Sequence, residues 1–427
     1  MKKSIAITAI LVCILAGIGS GIIGCADRNA SETTETTETI GAIAPLAPVP
    51  TRNLTAEITA QTIEPSEITD TEAAALTQFA LDLAAEQDGQ FLLSPVSIAS
   101  ALAMTANGAD GDTLSQTEDV LGLDRDSLNR VIHGYMAKNG DDISLANSIW
   151  FRDYGFEPNR GFLQTAVDRY GADIFTAPFD GSTLTDVNAW ISEKTGGMIP
   201  QMLDKIRPDT VMYLINAVYF EQQWSTVYDF VSEGKFTTAD GDTQDVSTLR
   251  SVEDCYYEDE HAVGFAKAYK WCDYSFVALL PEEGMTPAEY LAQVTGEELH
   301  ELLKHPQNVF VQTETPKFKA EYGTDLVKNL TALGMTDIFD DAEADLTGLG
   351  TASGNLYVSD VAHKAVMELD ESGTKAAAAT IVAVVEECEI IPPEPEKTVI
   401  LDRPFVYMIV DNTTGIPLFI GTLESVE

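Results

Sequence analysis

Apolar and polar positions change their pattern three times along the chain. Residues 5–23 are an almost unbroken apolar run behind Met1-Lys2-Lys3, the charged leader and hydrophobic stretch of an export signal. Residues 26–68 show no period of 2.0 or 3.6. Their Ser31-Glu32-Thr33-Thr34-Glu35-Thr36-Thr37-Glu38-Thr39 run and Pro45, Pro48 and Pro50 predict a solvated tether. Periodicity then returns. Thr69-Asp70-Thr71-Glu72 reads as a capping box opening a helix with Leu76, Phe79 and Leu83 on one face. Residues 211–220 and 275–280 are short, apolar and rich in β-formers, as strands buried on both faces are. Leu291, Leu299, Leu302 and Leu303 mark an acidic amphipathic helix, and 405–410, a polar turn at 411–415 and 418–423 predict a hairpin. The expectation is one α+β body over 69–427, without internal repeats.

Charge narrows what such a body could do. The 427 residues carry 25 Lys and Arg against 68 Asp and Glu, a formal charge of −43. Affinity for nucleic acid is largely a lysine and arginine effect, so a phosphate-backbone binder is excluded. Docking of the folded body on anionic lipid is disfavoured for the same reason. The apolar leader ends in Ile22-Ile23-Gly24-Cys25, which resembles the lipobox of bacterial-type lipoproteins. Residues 1–25 are therefore expected to be a signal peptide with Cys25 as lipidation site, an ordinary signal peptide or an uncleaved anchor being the alternatives. Each reading exports the body, leaving it extracellular or at the cell surface with any membrane contact confined to an N-terminal anchor. Asn29-Ala30-Ser31 and Asn53-Leu54-Thr55 are glycosylation sequons.

The search for catalytic or metal chemistry is negative. Outside the leader stand Cys255, Cys272 and Cys388; the first two flank an expected hairpin, where pairing is one option for an exported protein. No C-x-x-C is present to suggest zinc. His300 and His305 are five residues apart, about 140° around a helix, whereas a helical zinc pair needs a spacing of four. They read as a solvated helix end. Asp341-Ala342-Glu343-Ala344-Asp345 starts like a calcium loop but lacks its glycine and closing glutamate. Outside the leader, no G-x-S-x-G, P-loop or G-x-G-x-x-G occurs. The expectation is a protein that is not an enzyme and holds neither metal nor cofactor.

The segment 371–395 is the informative one. Its alanines favour a surface helix by propensity, yet the run also has a period of two. Thr374, Ala376, Ala378, Thr380, Val382 and Val384 share one strand face, all small or β-branched and uncharged. Glu386, Glu387, Cys388 and the Pro392-Pro393 pair follow, which is loop chemistry. Such a segment can live as a solvated loop and also enter a sheet.

With these residues in place, the chain resembles a serpin over residues 70–426. Glu371-Ser372-Gly373-Thr374 with Ala376, Ala377, Ala378, Ala379 and Thr380 matches the family's hinge. Phe91-Leu92-Leu93-Ser94-Pro95-Val96-Ser97-Ile98, Asn188-Ala189-Trp190 with Thr195-Gly196-Gly197, Thr315-Pro316-Lys317-Phe318, His363-Lys364-Ala365, Arg403-Pro404-Phe405 and Leu418-Phe419-Ile420-Gly421 follow in the family's order. Met198 and Glu221-Gln222 depart from its common residues.

The resemblance implies a fold of three β-sheets with eight or nine helices and an exposed reactive-centre loop. It implies a monomeric suicide inhibitor of serine, sometimes cysteine, proteases. The protease cleaves the loop, forms a covalent acyl complex and is carried away as the hinge inserts into the main sheet. Ser94, Ser97, Asn216 and His363 correspond to the family's shutter, where polar groups bridge strands that must part. Sixteen residues on from Glu371, the scissile bond falls at Glu387–Cys388, with Val385, Glu386, Cys388 or Ile390 as alternative registers. The alternatives in function are a non-inhibitory serpin acting as a binding or surface protein, a secreted hydrolase, or a structural lipoprotein.

Overall fold

A computed structural model describes residues 50–138, 143–228, 230–375 and 394–426. The chain divides into two units, Met1–Ala47 and Pro48–Glu427. The first lies outside the described residues, as do Cys25, the hinge alanines 376–379, Thr380, Glu387 and Cys388. Among the described residues of the second unit are nine α-helices and three sheets of eight, nine and two strands, the α+β architecture expected.

Local signals set the helices. Thr69 caps Asp70–Ala85 by accepting the Glu72 N–H at 3.3 Å, while Glu72 accepts the Thr69 N–H at 2.9 Å. Leu76, Phe79 and Leu83 are buried together. The helix Pro95–Ala106 starts on a proline and is buried at all twelve positions. A helix buried all round belongs at the centre of a core, and it packs against the strands Ile143–Arg152 and Met212–Phe220.

The main sheet runs in the order Arg52–Asn53, Asp173–Ala177, Ile143–Arg152, Met212–Phe220, Asp360–Leu369, and Phe318–Asp325 lines the far side of the last. Met212–Phe220 and Asp360–Leu369 are parallel partners only from Tyr213↔Asp360 to Val218↔Ala365. Beyond that point a third strand, Gly373–Lys375, pairs antiparallel with Glu368 and Leu369 on one side and with Gln222–Gln223 on the other. The nine-stranded sheet contains the expected terminal hairpin, Phe405–Asp411 with Pro417–Leu423. Its turn is closed by Asp411 Oδ1, which accepts the N–H groups of Thr413 and Thr414.

Three expectations change. The folded body begins before residue 69, because the described part of the tether lies on it. Arg52 and Asn53 pair with Thr176 and Phe175, the Gln61 N–H reaches Asp168 at 2.7 Å, and Arg130 donates to the Glu67 carbonyl. Within the Asn53 sequon the amide already binds Asp173 and Thr55. Second, Cys255 and Cys272 are both free. Cys255 faces Ala266 across the ladder, whereas Cys272 lies beyond the end of that strand, in the turn Lys270–Cys272. Third, His300 is not at a solvated helix end. It is 2% exposed, on the face of Gly296–Lys304 that packs against Asp70–Ala85. The two helices meet so closely that a Cβ at Gly296 would sit 2.5 Å from the Gln78 nitrogen. His305 is exposed, so the two rings do not converge.

Candidate functional site: the seam of the main sheet

One rung across the seam is polar. Asn147, Asn216 and His363 are direct partners on three adjacent strands, and all three are buried. Asn216 Nδ2 donates towards the Ser97 carbonyl at 2.6 Å, Ser97 Oγ at 2.5 Å and Asn147 Oδ1 at 2.7 Å. Asn147 Nδ2 in turn donates to Ser100 Oγ at 2.8 Å. The central helix is thereby tied to two strands.

His363 ties the third. Its Nε2 lies 3.3 Å from the Ser94 N–H, and its Nδ1 lies 3.0 Å from Asn216 Oδ1. A backbone N–H can only donate, so Nε2 accepts and Nδ1 carries the proton to Asn216. Both neighbours therefore select one neutral tautomer. Burial without a counter-charge pushes the ring's pKa down to about 3. Of the expected shutter residues, Ser97, Asn216 and His363 meet through side chains. Ser94 joins through its backbone, and its buried hydroxyl has no partner among the described residues. Asn147 and Ser100 complete the cluster. Both were legible only as polar residues within apolar runs.

Above this gate the seam is already occupied by one short strand. Leu369, Thr374 and Gln222 form a rung in which Thr374 takes the middle place. Thr374 is 1% exposed and its hydroxyl is hydrogen-bonded to the Tyr269 hydroxyl. The uncharged strand face on which the period of two placed it is thus the buried one. Gly373 is required by proximity: a Cβ there would lie 2.1 Å from the Gln222 carbonyl oxygen. Asp370 shapes the reversal, its Oδ1 accepting the N–H groups of Ser372 and Gly373.

The reversal is also held from outside. The Trp224 indole donates to the Asp370 carbonyl at 2.9 Å, the Trp224 N–H to the Ser372 carbonyl at 3.0 Å, and the Tyr228 N–H to the Glu371 carbonyl at 3.0 Å. Lys317 Nζ bonds the Glu371 carboxylate at 2.5 Å, which holds that carboxyl below the usual glutamate range. Sequence reasoning singled out Glu371, Gly373 and Thr374 but not Trp224, Tyr228 or Tyr269, whose partners lie more than a hundred residues away. On the flank of the seam a cavity of about 720 Å³ opens between residues 201–204 and the strands carrying Asp325 and Asp360.

The seam is thus a buried polar rung, and above it Gly373–Lys375 fills a gap one strand wide between Leu369 and Gln222. Comparison with known proteins gives the family. A family model described as Serpin (serine protease inhibitor) matches residues 74–426. The leukocyte elastase inhibitor of Bos taurus is 32% identical over 392 residues, covering 83% of this chain and 99% of that protein. An uncharacterised serpin-like protein of Methanosarcina acetivorans is 30% identical, over 80% of this chain and 82% of its own length. Among solved structures, the thermophilic serpin tengpin in its native state superposes with a TM-score of 0.83 at 42% identity, over 88% of this chain and all of that one. The same protein in its latent state gives 0.74 at 40% identity, over 85% of this chain.

Proposed function

The chain belongs to the serpin family of protease inhibitors, and from that premise we propose that it is an inhibitory member acting on extracellular serine, and in some cases cysteine, proteases. The observation that carries this is the three-residue strand Gly373–Lys375 seated between Leu369 and Gln222, above a seam still closed by the Asn147–Asn216–His363 rung. The structure's greater likeness to native than to latent tengpin supports a main sheet still closed at that rung.

In this reading the protease nucleophile attacks the carbonyl carbon at Glu387, or at a neighbouring register. The peptide bond breaks, the new amine leaves with a proton delivered by the protease's general acid, and an acyl-enzyme remains. The freed strand then extends from Thr374 into the seam, parting His363 from Asn216. Sixteen residues at roughly 3.3 Å each carry the acyl-enzyme about 50 Å, far enough to distort the protease's oxyanion hole before water deacylates it. No turnover by this chain is involved. Export, a monomeric state and attachment through lipidated Cys25 belong to the same proposal. Replacing Cys25→Ala should release the protein from the membrane fraction, and retention there would remove the anchor from it.

Mixing the protein with glutamate-specific, chymotrypsin-like, elastase-like, subtilisin-like and papain-like proteases tests the inhibitory reading. A band at the summed mass that survives boiling in detergent is expected, and sequencing the released peptide locates the cleaved bond. Loop cleavage with every protease left fully active would instead favour a non-inhibitory serpin.

A further inference from the structure

Beneath the strand reversal lies a charge that the gate does not use. Lys267, on the strand Ala262–Ala268, is 2% exposed. Its Nζ bonds Glu253 at 2.7 Å, and the same carboxylate oxygen accepts the Ser251 hydroxyl at 2.5 Å. The ammonium group also stands 4.2 Å from the centroid of the Tyr228 ring and 5.7 Å from that of Trp224. A desolvated ammonium is drawn strongly to aromatic faces, and burial with one counter-ion makes its place well defined.

Those two aromatic residues are the ones whose N–H groups hold the reversal. Trp224 contributes its indole and backbone N–H to Asp370 and Ser372, and Tyr228 its backbone N–H to Glu371. The Trp224 ring is further fixed by stacking on Tyr269 at 4.5 Å, and the Tyr269 hydroxyl bonds Thr374.

We propose that Lys267 is a positioning residue for loop insertion: its charge, balanced by Glu253, fixes the Trp224–Tyr228 cradle and so immobilises the pivot at residues 370–373 about which the loop swings into the seam. An anchored pivot aims the strand at the gap between Leu369 and Gln222, and a loose one delays entry and gives deacylation time to win. The functional consequence rests on the inhibitory reading; the immobilisation of the pivot does not.

Hydrogen exchange separates the two. In Lys267→Met combined with Glu253→Gln, which removes both charges and strands neither, exchange of a peptide spanning 370–375 should rise about tenfold. A peptide spanning the hairpin strand 405–411 should be unaffected. Lys267→Arg, which keeps the cation, should restore parent protection. Tyr228→Leu keeps the ion pair and removes the ring, so it should reproduce the local loosening even if the double variant does not fold. With a protease that the parent traps, the double variant should need about two to five times more inhibitor per protease silenced. Parent-level exchange at 370–375 in folded double and Tyr228→Leu variants, or loosening by Lys267→Arg equal to theirs, would overturn the proposal. Local loosening in a protein whose parent traps no protease would uphold the pivot and overturn the inhibitory reading instead.

Discussion

His363 accepts a backbone N–H at Nε2 and donates from Nδ1, so a second ring proton would point at a donor. Its folded pKa is pushed down to about 3 by burial, against about 6.5 in an unfolded chain. The unfolded state therefore binds the proton first. This contribution to stability is intact above pH 6.5 and is lost as pH falls towards 3, by about 1.4 kcal/mol per pH unit. Asp360 acts in the opposite sense. Burial lifts its carboxyl to about 6 against the attraction of Arg207, so between pH 6 and 4 the folded state takes up that proton more readily and gains stability. Comparing the parent with His363→Gln cancels Asp360. The urea midpoint of the variant should fall less steeply than the parent's from pH 6.5 to 4, and parallel curves would show that the ring does not titrate as described.

At the scale of the element, the strand Gly373–Lys375 shows how two neighbouring strand edges decide a conformation. Glycine and threonine are poor helix formers, and glycine is a poor strand former too; what holds them extended is their place between Leu369 and Gln222, where each residue satisfies two ladders at once. The period of two made the inward position of Thr374 legible. The need for glycine at 373 was not, because it comes from the approach of the Gln222 carbonyl. Thr374→Arg would force a charge into a site that is 1% exposed, at a cost of several kcal/mol. That variant should still be cleaved in the loop but should leave the protease active, with the detergent-stable band reduced at least about tenfold. An undiminished band would show that Thr374 need not be buried for trapping. The helix Gly296–Lys304 teaches the complementary lesson: His300 falls at helical spacing with Gly296 and Leu303, the buried face, so its burial was readable from the pattern.

For the whole molecule, 68 acids against 25 bases mean self-repulsion in the compact state that added salt screens. The urea midpoint should therefore rise between 0.05 and 0.5 M sodium chloride, as the Debye length shrinks from about 14 Å to about 4 Å. A flat or falling midpoint would mean that paired charges such as Arg207–Asp360 and Lys194–Asp173 outweigh the excess. The sequence by itself determined the class of the body, the capped first helix, the terminal hairpin, the inward face of Thr374 and, through ordered motifs, the family. These depend on neighbours within a few residues or on signatures carried whole in the chain. Only the tertiary structure decided that residues 50–68 lie along the body, that Asn147 and Ser100 join the gate, that Cys255 and Cys272 stay apart, and that Trp224 and Tyr228 hold the reversal above Lys267. Each of those turns on positions distant in sequence, where neither periodicity nor propensity says which group will meet which.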